Sequence, residues 1–301
     1  MSTHDVIVIG EGVSGLSAAG TLARAGLRVA TIEGQLFGGL IINVNELDPV
    51  PAGQPSSGAE LAAGMMEANA EAGVTSIQEP VTLLRDNGDL KEVVTAAGSY
   101  RARRVIVASG ARLKKLGVPG ESEYEGRGVS QCADCDGPMY QNEEVIVVGG
   151  GDSALQEALV LAQYCRRVNL VHRGDTFVGT PHFVQQVQGN DKIRVVWNAT
   201  VQSIDGSKMV EKAQLKHADG RTEDLPCAGV FAYIGLEPSV EFLPNEVERD
   251  ANRFLRVNDA LQTNVPGVSA IGAVRAHFGG TLVDALEDAR RAAAALQQAL
   301  I

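Results

Sequence analysis

The chain has 301 residues, 45% of them hydrophobic and 21% charged, with a formal net charge of −11. That length suits about two domains, and the acidic balance excludes a nucleic-acid or anionic-membrane surface built on a basic patch. No stretch approaches the roughly 18 uninterrupted apolar residues of a membrane span, and four cysteines are too few for a disulfide framework.

The chain opens directly into an apolar strand, Asp5-Val6-Ile7-Val8-Ile9-Gly10. It carries no basic n-region and no cleavage-site pattern, so the cytoplasm is the expected compartment. Gly10-x-Gly12-x-x-Gly15 follows the strand and opens an alanine- and leucine-rich helix. Glycines so placed allow a tight turn and close approach of backbone to a pyrophosphate, which rests on the positive end of the helix. Glu33 closes the next strand at the spacing of a carboxylate that bonds ribose hydroxyls.

A second apolar strand, Val105 to Ala108, ends near Gly110, and Pro119-Gly120 follows where the chain leaves one domain for another. Cys132-Ala133-Asp134-Cys135 comes next, with Asp136 directly after it. Two cysteines at this spacing can close a disulfide, and one thiol of such a pair commonly titrates low. Asp136 is placed to move a proton to or from a departing thiolate. A zinc half-site would need two more ligands, but Cys165 and Cys227 stand alone and read as packing residues. His4, His172, His182, His217 and His277 show no ligand spacing, so no metal is expected.

Residues 144–173 then repeat the strand, glycine turn, helix and strand of residues 5–33. The second turn is Gly149-x-Gly151-x-x-Ala154, and its second strand ends in His172-Arg173 without an acid. An arginine there suits a 2′-phosphate, and hence NADPH rather than NADH. Gly229 to Ile234 form another apolar strand ending at Gly235, with Pro238 soon after. A short strand near Val268–Ile271 and a long alanine-rich helix complete the first domain. The expected fold class is therefore α/β, with two Rossmann-like three-layer domains. Residues 1–116 and 245–301 form one domain, and 117–244 form an inserted domain carrying the cysteines.

Taken together, Gly117-Val-Pro-Gly-Glu121, Gly126-Arg-Gly-Val-Ser130, Cys132-Ala-Asp-Cys-Asp-Gly137 and Gly149-Gly-Gly-Asp-Ser-Ala154 resemble the low-molecular-weight thioredoxin reductases over nearly the whole chain. The resemblance implies an FAD domain with an inserted NADPH domain, acting as a homodimer. FAD would lie on the first glycine turn with Glu33 on its ribose, and Asn45, Gly110, Gly272 and Ala273 are further positions on the flavin side. Cys135 would face the flavin, Cys132 would attack the substrate disulfide, and Asp136 would serve as acid and base. The expected partner is a thioredoxin-like protein or a small disulfide or dithiol.

Three places depart from that family's pattern. The arginines that grip the 2′-phosphate reduce to Arg173, with Gly174 and Val178 at the other two positions. Two lost charged hydrogen bonds correspond to about 3–6 kcal/mol, or on the order of 10²–10⁴ in affinity. The Gly-Asp that holds the FAD ribitol reads Gly272-Ala273, and the Arg-Gln beside the flavin reads Gly280-Thr281. NADPH and NADH both remain open as donors. So do a nicotinamide-independent dithiol oxidase using oxygen, a reductase fed by ferredoxin or another flavin, and a redox sensor with no turnover.

Overall fold

The computed structural model describes residues 3–44, 47 and 57–300. The chain divides into two compact units, residues 1–112 with 237–301, and residues 113–236. The first unit begins with β1 (Thr3–Ile9), α1 (Val13–Arg24), β2 (Val29–Glu33), α2 (Gly58–Glu71) and β3 (Thr75–Gln78). It continues with β4 (Val81–Asn87), β5 (Leu90–Thr95) and β6 (Ser99–Val107). The chain crosses to the second unit through β7 (Ala111–Leu113).

The second unit contains β8 (Val129–Ser130), α3 (Ala133–Asp136), β9 (Glu144–Gly149), α4 (Asp152–Tyr164), β10 (Arg167–Val171), α5 (Pro181–Gln188) and β11 (Ile193–Val196). An antiparallel meander follows, β12 (Ala199–Gly206), β13 (Val210–His217) and β14 (Thr222–Pro226), and then β15 (Gly229–Tyr233). The return crossing is β16 (Leu236–Pro238), which pairs with β7. The first unit closes with β17 (Val268–Ala270) and α6 (Leu282–Leu300).

Each unit is organised on a parallel sheet. In the first, β3, β2, β1 and β6 run parallel in that spatial order, and β17 joins the inner end of β6 beside Val105–Val107. The outer end of β6 instead pairs antiparallel with the β4–β5 hairpin. In the second unit the parallel order is β11-β10-β9-β15-β8. Strands buried on both faces need apolar side chains on both, which accounts for the continuous runs at residues 6–9 and 145–148.

Alternation along β1 divides the core of the first unit. Val6 and Val8 meet Ala18, Ala19 and Leu22 of α1 and Ala289, Ala292, Ala293 and Leu296 of α6. Ile7 and Ile9 turn to the opposite face, toward Val240, Phe242, Leu243 and Leu255. Small alanines on α1 and α6 let these helices lie close to each other and to the sheet. Residues 237–244, expected in the inserted domain, thus supply core side chains to the first unit. The structural crossings fall at 112/113 and 236/237.

Candidate active site

The first glycine turn is shaped by close backbone contact. Gly10 has φ +108°, and a Cβ there would lie 2.3 Å from the Ala108 carbonyl oxygen. No side chain is compatible with both conditions, so this position requires glycine. Gly12 differs, because a Cβ added there meets only the Gly38 oxygen, at 3.8 Å. Gly12 is also the N-cap of α1, with no capping side chain and no acid in the first turn. The result is an open, positive helix end that suits a pyrophosphate.

Glu33 stands at the end of β2. One carboxylate oxygen accepts the Glu11 backbone N–H at 2.9 Å, and the other accepts the Gln35 N–H at 2.9 Å. These bonds fix the carboxylate and leave lone pairs for ribose hydroxyls. Sequence reasoning passed over Glu11, whose side chain is 0% exposed. Its Oε1 accepts the hydroxyls of Thr31 and Ser76, each at 2.6 Å, and its Oε2 accepts the Gln78 amide at 2.9 Å. Glu11 therefore ties the turn to the ends of β2 and β3, where Glu33 is held.

The positions expected on the flavin side carry fewer side-chain anchors. Gly110 adopts φ +66° and its Cβ position is open. The Gly272 N–H donates to buried Asp288 at 2.9 Å, and Arg275 clamps the same carboxylate through two nitrogens at 2.6 and 2.8 Å. Ala273 is half-buried and offers no carboxylate. Thr281 and Asp284 cap α6 reciprocally, with Asp284 accepting the Thr281 N–H at 3.0 Å and donating its own N–H to Thr281 Oγ1 at 3.1 Å. Asn45 lies outside the described residues.

In the second unit Gly149 repeats the role of Gly10. Its φ is +152°, and a Cβ would lie 2.4 Å from the Tyr233 oxygen and 2.6 Å from the Ala154 methyl. Ala154 is fully buried, so this third position packs the helix against the strand. Gly151 is open, its nearest neighbour being a Val178 methyl at 4.0 Å. Asp152 occupies the first turn of α4 and accepts the Thr180 N–H at 2.6 Å.

Beyond β10, His172 donates from Nδ1 to the Gly149 carbonyl at 3.1 Å, and its ring meets those of Phe177 and Trp197. Arg173 is exposed and forms no ion pair among the described residues. Val178 is 82% exposed, an apolar side chain beside the turn.

Cys132 and Cys135 form a disulfide with an S–S distance of 2.12 Å and a Cα separation of 5.3 Å. Cys132 is the N-cap of α3, and its Sγ accepts the Cys135 N–H at 3.2 Å. The Cys132 N–H donates to Ser130 Oγ at 3.1 Å, and the Ala133 N–H donates to Glu157 Oε2 at 3.0 Å. Asp136 is half-buried directly behind the pair, and its backbone N–H donates to the Cys132 oxygen at 3.1 Å. By contrast, burial pushes the Cys165 thiol up to about 11 and the Cys227 thiol up to about 12. Among the described residues no His, Cys, Asp and Glu group could hold a metal ion.

The sequence profile of the pyridine nucleotide-disulphide oxidoreductases matches residues 4–299. The chain belongs to that family. Within it the match is to thioredoxin reductases: that of Treponema pallidum is 38% identical over 292 residues, covering 96% of this chain and 95% of the relative. That of Bacillus subtilis is 34% identical over 296 residues, covering 98% and 94%. The crystal structure of Lactococcus lactis thioredoxin reductase superposes with a TM-score of 0.91 at 33% identity, over 99% of each chain. Thioredoxin reductases use FAD, and the first turn fits its adenosine diphosphate portion, with Gly12 open to the pyrophosphate and Glu33 fixed for the ribose. The Cys132–Cys135 bond fits the redox-active disulfide of such an enzyme.

Proposed function

We propose that this protein is an FAD-dependent reductase that draws on a reduced pyridine nucleotide and delivers electron pairs through Cys132 and Cys135 to the disulfide of a thioredoxin-like protein. The carrying observation is the closed Cys132–Cys135 pair at the start of α3, in the same unit as the second glycine turn. FAD, when bound, supplies the two-electron exchange between nicotinamide and sulfur. Gly10, Gly12, Gly15, Glu33, Gly110, Gly272 and Ala273 would hold it, with Asn45 a further candidate. Gly149, Gly151, Ala154, His172 and Arg173 would hold the nicotinamide nucleotide.

Reduction of the Cys132–Cys135 bond consumes two electrons and two protons and yields two thiols. Cys132 is the attacking sulfur, because as N-cap it receives the Cys135 N–H, which stabilises a thiolate there. Its thiolate attacks a partner disulfide, forming a mixed disulfide and releasing one partner sulfur as thiolate. Cys135 then attacks Cys132, which re-forms the internal bond and frees the second partner sulfur. Asp136 takes the proton from Cys135 and returns one to the departing sulfur. A homodimer in the cytoplasm completes the reading, in keeping with the thioredoxin reductases; no helix among the described residues is long and apolar enough to cross a membrane.

The purified flavoprotein should bleach anaerobically with NADPH or NADH and then reduce an added thioredoxin. Cys135→Ser should keep the bleaching and lose the thioredoxin reduction. Bleaching by dithiothreitol alone, with oxygen restoring the colour, would replace this reading with a dithiol oxidase.

A further inference from the structure

Beneath the redox pair lies a carboxylate to which the reaction as derived gives no role. Glu157 projects from α4, and its Oε2 accepts two hydrogen bonds. One comes from the Ala133 backbone N–H at 3.0 Å, the other from the Tyr233 hydroxyl of β15 at 3.2 Å. Ala133 is fully buried and is the first residue of α3, the turn that begins at Cys132 and contains Cys135. The amides at this helix start have distinct acceptors: Ala133 donates to Glu157, whereas Cys135 donates to the Cys132 sulfur. Glu157 thus takes up an amide of the cysteine-bearing turn that is not directed at sulfur.

We propose that Glu157 is a positioning residue of the redox centre, pinning the first amide of the cysteine-bearing turn and, through its charge, disfavouring the Cys132 thiolate so that the disulfide is harder to reduce. The inference rests on the reading that this pair cycles between disulfide and dithiol. Burial pushes the Glu157 carboxyl up, and exposed Asp134 adds to the rise, while the Ala133 amide and Tyr233 hydroxyl oppose it. Where Glu157 is ionised, its charge acts on the cysteine-bearing turn it holds, because the local dielectric is low.

Both hydrogen bonds fall on a single oxygen, which makes the charge separable from the geometry. In Glu157→Gln the amide oxygen can accept from Ala133 and Tyr233 as before, and only the charge is removed. The test equilibrates the holoenzyme's disulfide with reduced and oxidised dithiothreitol at about pH 8, above the ordinary carboxylate range. In this exchange the pair takes two electrons and two protons from dithiothreitol, whose own thiols close to a disulfide.

Glu157→Gln should shift the equilibrium toward the dithiol on the order of tenfold, or about 30 mV for a two-electron couple. Alkylation of the reduced protein by iodoacetamide should quicken several-fold at Cys132, since thiolate is the reacting form. Thermal unfolding should not fall below the wild-type temperature, because both hydrogen bonds stay and a charge disfavoured by burial is removed; this separates the role from a purely structural one. A shift below about twofold in both readouts, or a shift toward the disulfide, overturns the inference. A wild-type pair that dithiothreitol cannot open at all would instead overturn the redox reading on which it rests.

Discussion

Replacing Glu11 with alanine tests whether the first glycine turn depends on a buried carboxylate. Glu11 is 0% exposed and accepts from Thr31, Ser76 and Gln78. Ser76 and Gln78 are exposed and can turn to water, but Thr31 is 1% exposed and would keep an unpaired hydroxyl. An orphaned buried hydroxyl costs about 1–3 kcal/mol. The emptied side-chain volume adds to this, and relief of charge burial subtracts from it.

A net loss of about 2–3 kcal/mol follows, which for a unit of this size lowers the unfolding temperature by about 4–12 °C. FAD affinity should fall about tenfold, because the strand ends that hold Glu33 loosen. Glu11→Gln should cost less, since its oxygen still serves Thr31 and Ser76 and the Gln78 amide can rotate to meet the new NH₂. Thermal unfolding of the apoprotein and flavin titration by fluorescence read both effects. If both variants unfold within about 2 °C of wild type, the carboxylate is not what holds the turn.

Ala273→Asp should tighten FAD binding about 10–100-fold by adding one charged hydrogen bond at a half-buried position, as flavin titration would show. Under native reducing conditions at neutral pH, iodoacetamide should label only Cys132 and Cys135, because burial holds Cys165 and Cys227 up at about 11 and about 12. Labelling of either buried thiol before denaturation would refute this. Asp86 is held below the usual carboxylate range first by the Lys91 ammonium, with the Gly88 amide also lowering it. A folded value below the unfolded one stabilises the protein above the ordinary carboxylate range and is lost as pH falls through the folded value. Asp86→Asn should therefore be less stable at neutral pH and converge on wild type in acid; a gap independent of pH in urea unfolding would exclude the linkage.

Local constraints made much of this legible. Gly10 and Gly149 must be glycine because backbone lies against them, and that requirement marks the sequence in the same way in both units. The cysteine pair is legible because its partners are three residues apart. Glu11 carried no such mark, since its acceptors serve residues 65 and 67 positions away that meet only when β3 joins β2. Glu157 was obscured likewise, its partner Ala133 lying 24 residues earlier on another helix. The run Val240, Phe242 and Leu243 has no motif of its own, and only its packing against β1 assigns it to the first unit.

The two ends of the inserted unit differ in how tightly structure binds chemistry. At the cysteine end, Ala133 is fully buried and Gly137 has no room for a Cβ, which would lie 2.9 Å from the Tyr164 ring. A change there disturbs the packing of α3 on α4 as well as the sulfur chemistry. Beside the second glycine turn, exposed Arg173 and Val178 project from a loop whose backbone is fixed by other bonds, those of Val178 N–H to Gly150 and Thr180 N–H to Asp152. Their side chains can change with little cost to the fold. If this loop holds the nucleotide as proposed, the preference for a particular nicotinamide can vary independently of the dithiol chemistry. Val178→Arg should raise affinity for NADPH over NADH about tenfold or more without moving the unfolding temperature. Equal gains for both nucleotides would mean that the added charge meets the shared pyrophosphate instead of the 2′-phosphate.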